Sequence, residues 1–138
     1  MVLVASMAGL GISVYLTVVH FSTIPLACPT GAVLSCEQVL SSRFAVIGGT
    51  GLPTSAAGMA WFAIAAGLAI AGLRGPRPQL AWAQLAWSAI GLATVIYLVY
   101  VEIVLLGAVC LWCTAAHGFV LLIFLIALAR PDGGRVRT

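Results

Sequence analysis

The chain has 138 residues, of which 63% are hydrophobic and only 7% are charged. An ordinary globular domain has about 25% charged residues, so this composition excludes a conventional water-soluble protein and indicates an integral membrane protein. The net charge of +3 comes from arginines that flank the apolar runs, and we therefore expect no nucleic-acid partner.

Four apolar runs are long enough to cross a bilayer, which takes about 20 helical residues. They cover residues 2–24, 53–73, 80–106 and 108–129. The first run lacks a positive leader and a small-residue cleavage site, so we expect a retained helix and not a signal peptide. The sequence predicts an all-α integral membrane fold, a four-transmembrane-helix bundle in a single domain over residues 1–138.

The arginines predict the orientation of this bundle. If all four runs cross the membrane, five of the six arginines lie on one side of it: Arg74, Arg77, Arg130, Arg135 and Arg137. Arg43 alone falls on the other side. The positive-inside rule then predicts a multi-pass protein of the cell (inner) membrane, surrounded by lipid, with both termini in the cytoplasm and the loop after the first helix outside.

Four cysteines fall on the predicted outer side, where disulfides form and persist. Cys110 and Cys113 open the fourth run at Cys-x-x-Cys spacing, and His117 lies four residues further on the same helical face. Unpaired N–H groups at the start of a helix favour thiolate over thiol, so this spacing predicts a redox-active pair. The alternative is that both are small apolar packing residues.

Cys28 and Cys36 lie in the long polar loop between the first two runs. These two cysteines fit two interpretations equally well: a structural disulfide, or a redox pair that presents one thiol to a partner. A four-cysteine zinc site is disfavoured because only one of the two pairs has the close spacing that structural zinc prefers, so we expect no metal.

The order of these motifs resembles the bacterial vitamin K epoxide reductase family. The resemblance is carried by the loop pair eight residues apart, the segment Cys-Glu-Gln-Val-Leu-Ser-Ser-Arg at 36–43, the Gly-rich passage to Pro53 and the late Cys-x-x-Cys. Tyr15-Leu16-Thr17 with His20 is also similar to the first helix of that family. Quinone-linked oxidases of the DsbB type place Cys-x-x-Cys before the loop pair, so the order here disfavours them.

The resemblance implies a bundle around a membrane quinone (menaquinone or ubiquinone), capped on the extracytoplasmic side by a short half-helix between helices 1 and 2. It implies that Cys28 exchanges with an extracytoplasmic thioredoxin-fold (DsbA-like) thiol oxidase and that Cys36 passes electrons inward. Cys110 would be the relay and Cys113 the thiolate next to the quinone.

Three further residues are candidates for quinone contact by the same resemblance. Ser42 resembles a quinone-contacting serine, although a turn hydroxyl explains it as well. Thr54 lies near the position at which vertebrate members of the family carry a quinone-bonding asparagine. His117 takes the place of a tyrosine of those members, although packing against a neighbouring helix would also explain this histidine. We expect Glu102 to be interfacial, not catalytic. Trp112 fits a pocket wall or an interfacial anchor.

These expectations describe a membrane thiol:quinone oxidoreductase that reoxidises a disulfide-forming partner. One alternative is vitamin K quinone or epoxide reduction as the physiological role. The other is a non-enzymatic scaffold stapled by a disulfide.

Overall fold

The computed structural model describes residues 1–22, 27, 28, 31 and 33–129. Its long helices are α1 (Val2–Phe21), α3 (Thr54–Arg74), α4 (Pro78–Tyr100) and α5 (Leu111–Leu128). A short helix, α2 (Cys36–Leu40), lies between α1 and α3, and a π-helical segment (Val101–Leu106) continues α4. The short α2 is the half-helix that the family resemblance implies.

Four helices are long and apolar enough to span a membrane, the third being α4 together with its π-helical segment, Pro78–Leu106. The predicted four-helix membrane fold is confirmed. The fourth helix begins three residues later than predicted, because residues 108–110 are extended before α5. Residues 23–26, at the predicted end of the first run, lie outside the described residues, as do Arg130, Arg135 and Arg137.

The four long helices form a ring in which α1 packs on α3 and α5, and α4 packs on the same two helices. The centre of the ring is a cluster of buried side chains from three of them: Ala5, Phe62, Val120 and Ile123. The outer faces carry large apolar side chains such as Ile96 and Ile103, which are exposed. An apolar exterior is what lipid contact requires, since hydrocarbon offers no partner to polar groups.

Close helix contacts in this ring depend on glycine and on satisfied indole N–H groups. Gly9 of α1 lies against the ring of Phe62, so closely that a Cβ at Gly9 would overlap it. Between α3 and α4, Trp61 and Trp87 stack with ring centroids 6.4 Å apart. Each indole N–H donates to the other residue's carbonyl oxygen, at 3.3 Å and 3.1 Å. The pair thus joins two helices without leaving a donor unpaired in the membrane.

The link between the π-helical segment and α5 is only four residues long, 107–110. Gly107 has φ 61°, the left-handed conformation that glycine adopts at low cost, and ends the π-helical segment. The sequence predicts the break at Gly107, but the wider π-helical turn before it has no pattern in the sequence that we could read.

We predict that Gly9→Ala destabilises the protein by about 1–3 kcal/mol, because the added methyl group forces Phe62 out of its packed position. Gly11→Ala is the matched control, since it lies on the same helix with open space beside it. Thermal unfolding in detergent measures both. Equal melting temperatures for the two variants would contradict this packing.

Candidate active site

Backbone pairing brings the two cysteine-bearing segments together. Leu34 and Val109 form a parallel bridge. The N–H of Ser35 donates to the carbonyl of Val109 at 3.2 Å, and the N–H of Val109 donates to the carbonyl of Val33 at 2.9 Å. Each bridging segment runs directly into a cysteine, Cys36 or Cys110. The pairing therefore places the loop cysteines beside the start of α5, although they are more than 70 residues apart in the chain.

All four cysteines belong to one packed cluster at this end of the bundle. Cys36 and Cys110 are fully buried within it, and Cys28 and Cys113 pack against them. Cys28 and Cys36 are joined by a disulfide, with their Cα atoms 6.3 Å apart. Cys110 and Cys113 are free thiols. The arrangement is a disulfide and a dithiol side by side.

The Cys-x-x-Cys spacing matches the geometry of a helix N-cap. Cys110 is the N-cap of α5, and its sulfur accepts the backbone N–H of Cys113 at 3.3 Å. The Cys113 thiol donates to the same sulfur across 2.6 Å. The hydrogen bond from the Cys113 side chain, with a further contribution from its backbone N–H, lowers the pKa of Cys110 despite burial. These contacts thus favour loss of the Cys110 proton relative to an ordinary cysteine thiol.

Two aromatic residues hold the backbone just before Cys28. The indole N–H of Trp112 donates to the carbonyl of Ala27 at 2.8 Å. The N–H of Ala27 donates to the hydroxyl oxygen of Tyr15 at 3.3 Å, and the rings of Tyr15 and Trp112 are in contact, 5.2 Å between centroids. We call these three residues the Ala27 clamp. It ties the outer disulfide to α1 and α5 at once.

The short helix α2 is fixed in a similar way. The side-chain amide of Gln38 donates to the carbonyl of Leu106 at 3.0 Å, across to the end of the π-helical segment. At the other end of α2, the hydroxyl of Ser42 donates to the carbonyl of Val39 at 2.7 Å. Because α2 begins with Cys36, the Gln38 contact helps to hold that sulfur near the start of α5, whereas the Ser42 contact is local to the end of α2.

A cavity of ≈ 260 Å³ opens beneath α2, between α1, α3, α4 and α5. Its walls are mostly apolar, and its volume lies just below the usual range for small-molecule sites, about 300–1,000 Å³. Of the four cysteines, Cys113 alone lines it. The polar and titratable side chains that share the lining include Ser42, Thr54, His20, Glu102 and His117.

The polar side chains that line the cavity differ in whether they already have a hydrogen-bond partner. Thr54 donates its hydroxyl to the carbonyl of Phe44 at 3.0 Å, and Ser42 is likewise engaged with α2. Within the described part of the chain, Nδ1 of His117 is buried without a hydrogen-bond partner. A buried polar atom without a partner is costly, so it marks the place where a ligand atom would bind.

Glu102 is turned inward, with only 6% of its surface exposed. Its Oε2 accepts the backbone N–H of Cys110 at 3.3 Å, and it lines the same cavity as Cys113. Our expectation of an interfacial role is therefore wrong in one respect: the side chain lies near the helix end but faces the site. The signal was present in the sequence, since Glu102 is the only acidic residue within an apolar run.

The structure thus brings together all seven predicted site residues around one cluster and one cavity: Cys28, Cys36, Cys110, Cys113, Ser42, Thr54 and His117. Their individual roles stay predictions. Sequence reasoning missed the contact of Gln38 with Leu106 and the Ala27 clamp, because neither has a local pattern.

Comparison with known proteins agrees with this geometry. The profile of the vitamin K epoxide reductase family matches residues 1–128. The chain belongs to the vitamin K epoxide reductase family. A search of curated proteins finds no match. Membership makes the chain an oxidoreductase of a family of multi-pass membrane proteins that generally couple thiol–disulfide chemistry to quinone and work with thioredoxin-like partners.

We predict that Trp112→Phe speeds the reduction of Cys28–Cys36 by a small thiol several-fold, because it removes the N–H that holds Ala27 while keeping an aromatic ring beside Tyr15. Trp82→Phe is the control, since that exposed ring lies near the opposite end of α4. Timed maleimide labelling after addition of dithiothreitol measures the rate. Identical rates in the two variants would show that the clamp does not restrain the disulfide.

Proposed function

We propose that this family member is a membrane thiol:quinone oxidoreductase that reoxidises an extracytoplasmic thioredoxin-fold (DsbA-like) partner and passes two electrons to a membrane quinone. The observation that carries the proposal is the pairing of Leu34 with Val109, which packs the Cys28–Cys36 disulfide against the Cys110/Cys113 dithiol. A stapled scaffold needs the disulfide alone. It gives no reason for a free Cys-x-x-Cys beside a cavity.

The outer step is thiol–disulfide exchange at Cys28. A partner thiolate attacks the Cys28 sulfur, the Cys28–Cys36 bond breaks, and Cys36 leaves as a thiolate. The second partner thiolate then resolves the mixed disulfide, so the partner gains a disulfide and Cys28 and Cys36 become thiols. Cys28 suits the attack because it is half-buried, whereas Cys36 is fully buried.

The inner step moves the same electron pair to the second pair of cysteines. With Cys110–Cys113 in the disulfide form, the Cys36 thiolate attacks Cys110 and Cys113 is released. Cys28 then resolves the Cys36–Cys110 bond, which restores Cys28–Cys36 and leaves Cys110 and Cys113 as a dithiol. The structure has the sulfur oxidation states of this stage.

We assign the cavity that Cys113 lines to the quinone ring. The walls are mostly apolar, as a ring requires, and His117 Nδ1 offers an unpartnered polar atom for a carbonyl oxygen. A bound quinone would supply a two-electron, two-proton acceptor, and oxidation of the dithiol re-forms Cys110–Cys113. Glu102 and His117 are the residues we assign to pass the two thiol protons on to the oxygens of the reduced quinone, since both line the cavity with Cys113.

We also propose that the cysteine end of the bundle is extracytoplasmic. Arg74, the last residue of α3, and Arg77, directly before α4, lie at the opposite end, and the positive-inside rule makes that end cytoplasmic. A membrane-impermeant maleimide applied to intact cells after mild reduction tests this: labelling of Cys28 is expected. Labelling that needs opened cells would reverse the orientation.

We predict that Cys113→Ala abolishes quinone reduction with any thiol donor, because the cavity then has no sulfur beside it. Cys28→Ala is expected to lose turnover with a thioredoxin-fold dithiol yet retain part of it with a small dithiol that reaches the inner pair directly. Stopped-flow absorbance of a soluble quinone measures both. If the two variants respond alike to both donors, the two-pair relay is wrong.

We predict that His117→Phe raises the apparent KM for quinone by about two- to tenfold, the effect of losing one hydrogen bond of about 0.5–1.5 kcal/mol. Ser42→Ala is the matched control and is expected to change KM less, because its hydroxyl proton is already bound by the Val39 carbonyl. Steady-state kinetics with varied quinone measures both, while single-turnover exchange with a partner thiol stays unchanged. An unaltered KM in His117→Phe would assign that residue to packing.

A further inference from the structure

A second cavity, of ≈ 300 Å³, lies at the end of the bundle opposite the cysteines. It is formed where the first turns of α1 and α4 meet the last turns of α3 and α5. Its walls are mostly apolar side chains, among them Leu3, Leu68, Leu80 and Ile126. The relay described above makes no use of it.

Gln84 of α4 lines this cavity and is 8% exposed. Among the residues that the structure describes, neither its Oε1 nor its Nε2 has a hydrogen-bond partner. A side-chain amide buried in this way has neither its donor nor its acceptor satisfied, which destabilises the folded protein. Such a residue in a membrane helix is explained if a ligand supplies the missing partners.

Arg77, directly before α4, also lines the cavity and is exposed. It places a fixed positive charge beside an apolar cleft at the end of two spanning helices. From Pro78 to Gln84 the helix rises about 9 Å. A ligand that satisfies both residues therefore has an anionic group at the helix end, hydrogen-bonding oxygens some ångströms deeper, and an apolar remainder.

We propose that this cavity binds one anionic phospholipid of the surrounding leaflet. The phosphate pairs with Arg77, an ester carbonyl of the lipid accepts a hydrogen bond from the Gln84 amide, and the acyl chain lies along the leucine-rich wall. Basic pockets between transmembrane helices bind anionic headgroups for the same electrostatic reason. The charge of Arg77 selects anionic lipids. The hydrogen bond to the buried Gln84 amide distinguishes one specifically bound lipid from the other lipids that surround the protein.

The test is native mass spectrometry of the full chain in a neutral detergent, titrated with phosphatidylglycerol or phosphatidylcholine. We expect one tightly bound phosphatidylglycerol, held more tightly than phosphatidylcholine. Arg77→Gln should weaken it by about fivefold, the effect of one arginine at an anionic lipid surface. Arg74→Gln is the matched control, because that exposed arginine is close in sequence but does not line the cavity. Equal affinities in these two variants, or equal binding of both lipids, would overturn the proposal.

The variant Gln84→Leu allows a second test, the rise in melting temperature that lipid causes. If the amide had only a structural role, this variant would not change that rise. Without lipid, this variant should melt at the same temperature as the wild type or higher, since an unpartnered amide is replaced by an apolar group. The rise in melting temperature on adding phosphatidylglycerol should shrink or vanish. An undiminished lipid-induced rise in Gln84→Leu would show that the amide takes no part in binding.

Discussion

The short parallel pairing of residue 34 with residue 109 is the interaction on which the rest of the site depends. It is a pair of backbone hydrogen bonds between two segments far apart in the chain, one leading into α2 and the other into α5. Because each segment ends at a cysteine, the pairing sets the distance between the two sulfur pairs. As a direct consequence, Cys36 and Cys110 are buried in the same packed cluster. The proposed relay needs both pairs.

The cavity follows from the same arrangement. The pairing and the Gln38 contact hold α2 across the end of the bundle, and the residues after α2 form the cavity's upper wall. Since Cys110 takes the N-cap position, Cys113 falls within the first turn of α5 and faces the space below. In the proposed relay, Cys28 is the sulfur that a partner attacks, whereas Cys113 is the sulfur that lines the cavity.

Much of this could be read from the sequence, and the reasons for the rest are physical. Span number follows from the length of the apolar runs, since lipid imposes that length on every spanning helix. The sequence identifies Cys110 and Cys113 as a candidate redox pair, because two cysteines three residues apart at the start of a helix lie close together. The Ala27 clamp and the inward turn of Glu102 are not identified in this way, because they depend on contacts between residues far apart in the chain. Ser42 and Thr54 both line the cavity, but their contact with a quinone stays a prediction, and only the structure shows that their hydroxyl protons are already engaged.

The proposed relay requires that electrons cross between the two pairs through Cys36 and Cys110. The most direct measurement uses the double variant Cys28→Ala with Cys113→Ala, which leaves those two sulfurs without their usual partners. On mild oxidation, peptide mapping under non-reducing conditions should find an intramolecular Cys36–Cys110 disulfide, because both side chains lie in one buried cluster. Recovery of both as free thiols, or only as disulfides between separate molecules, would contradict the account.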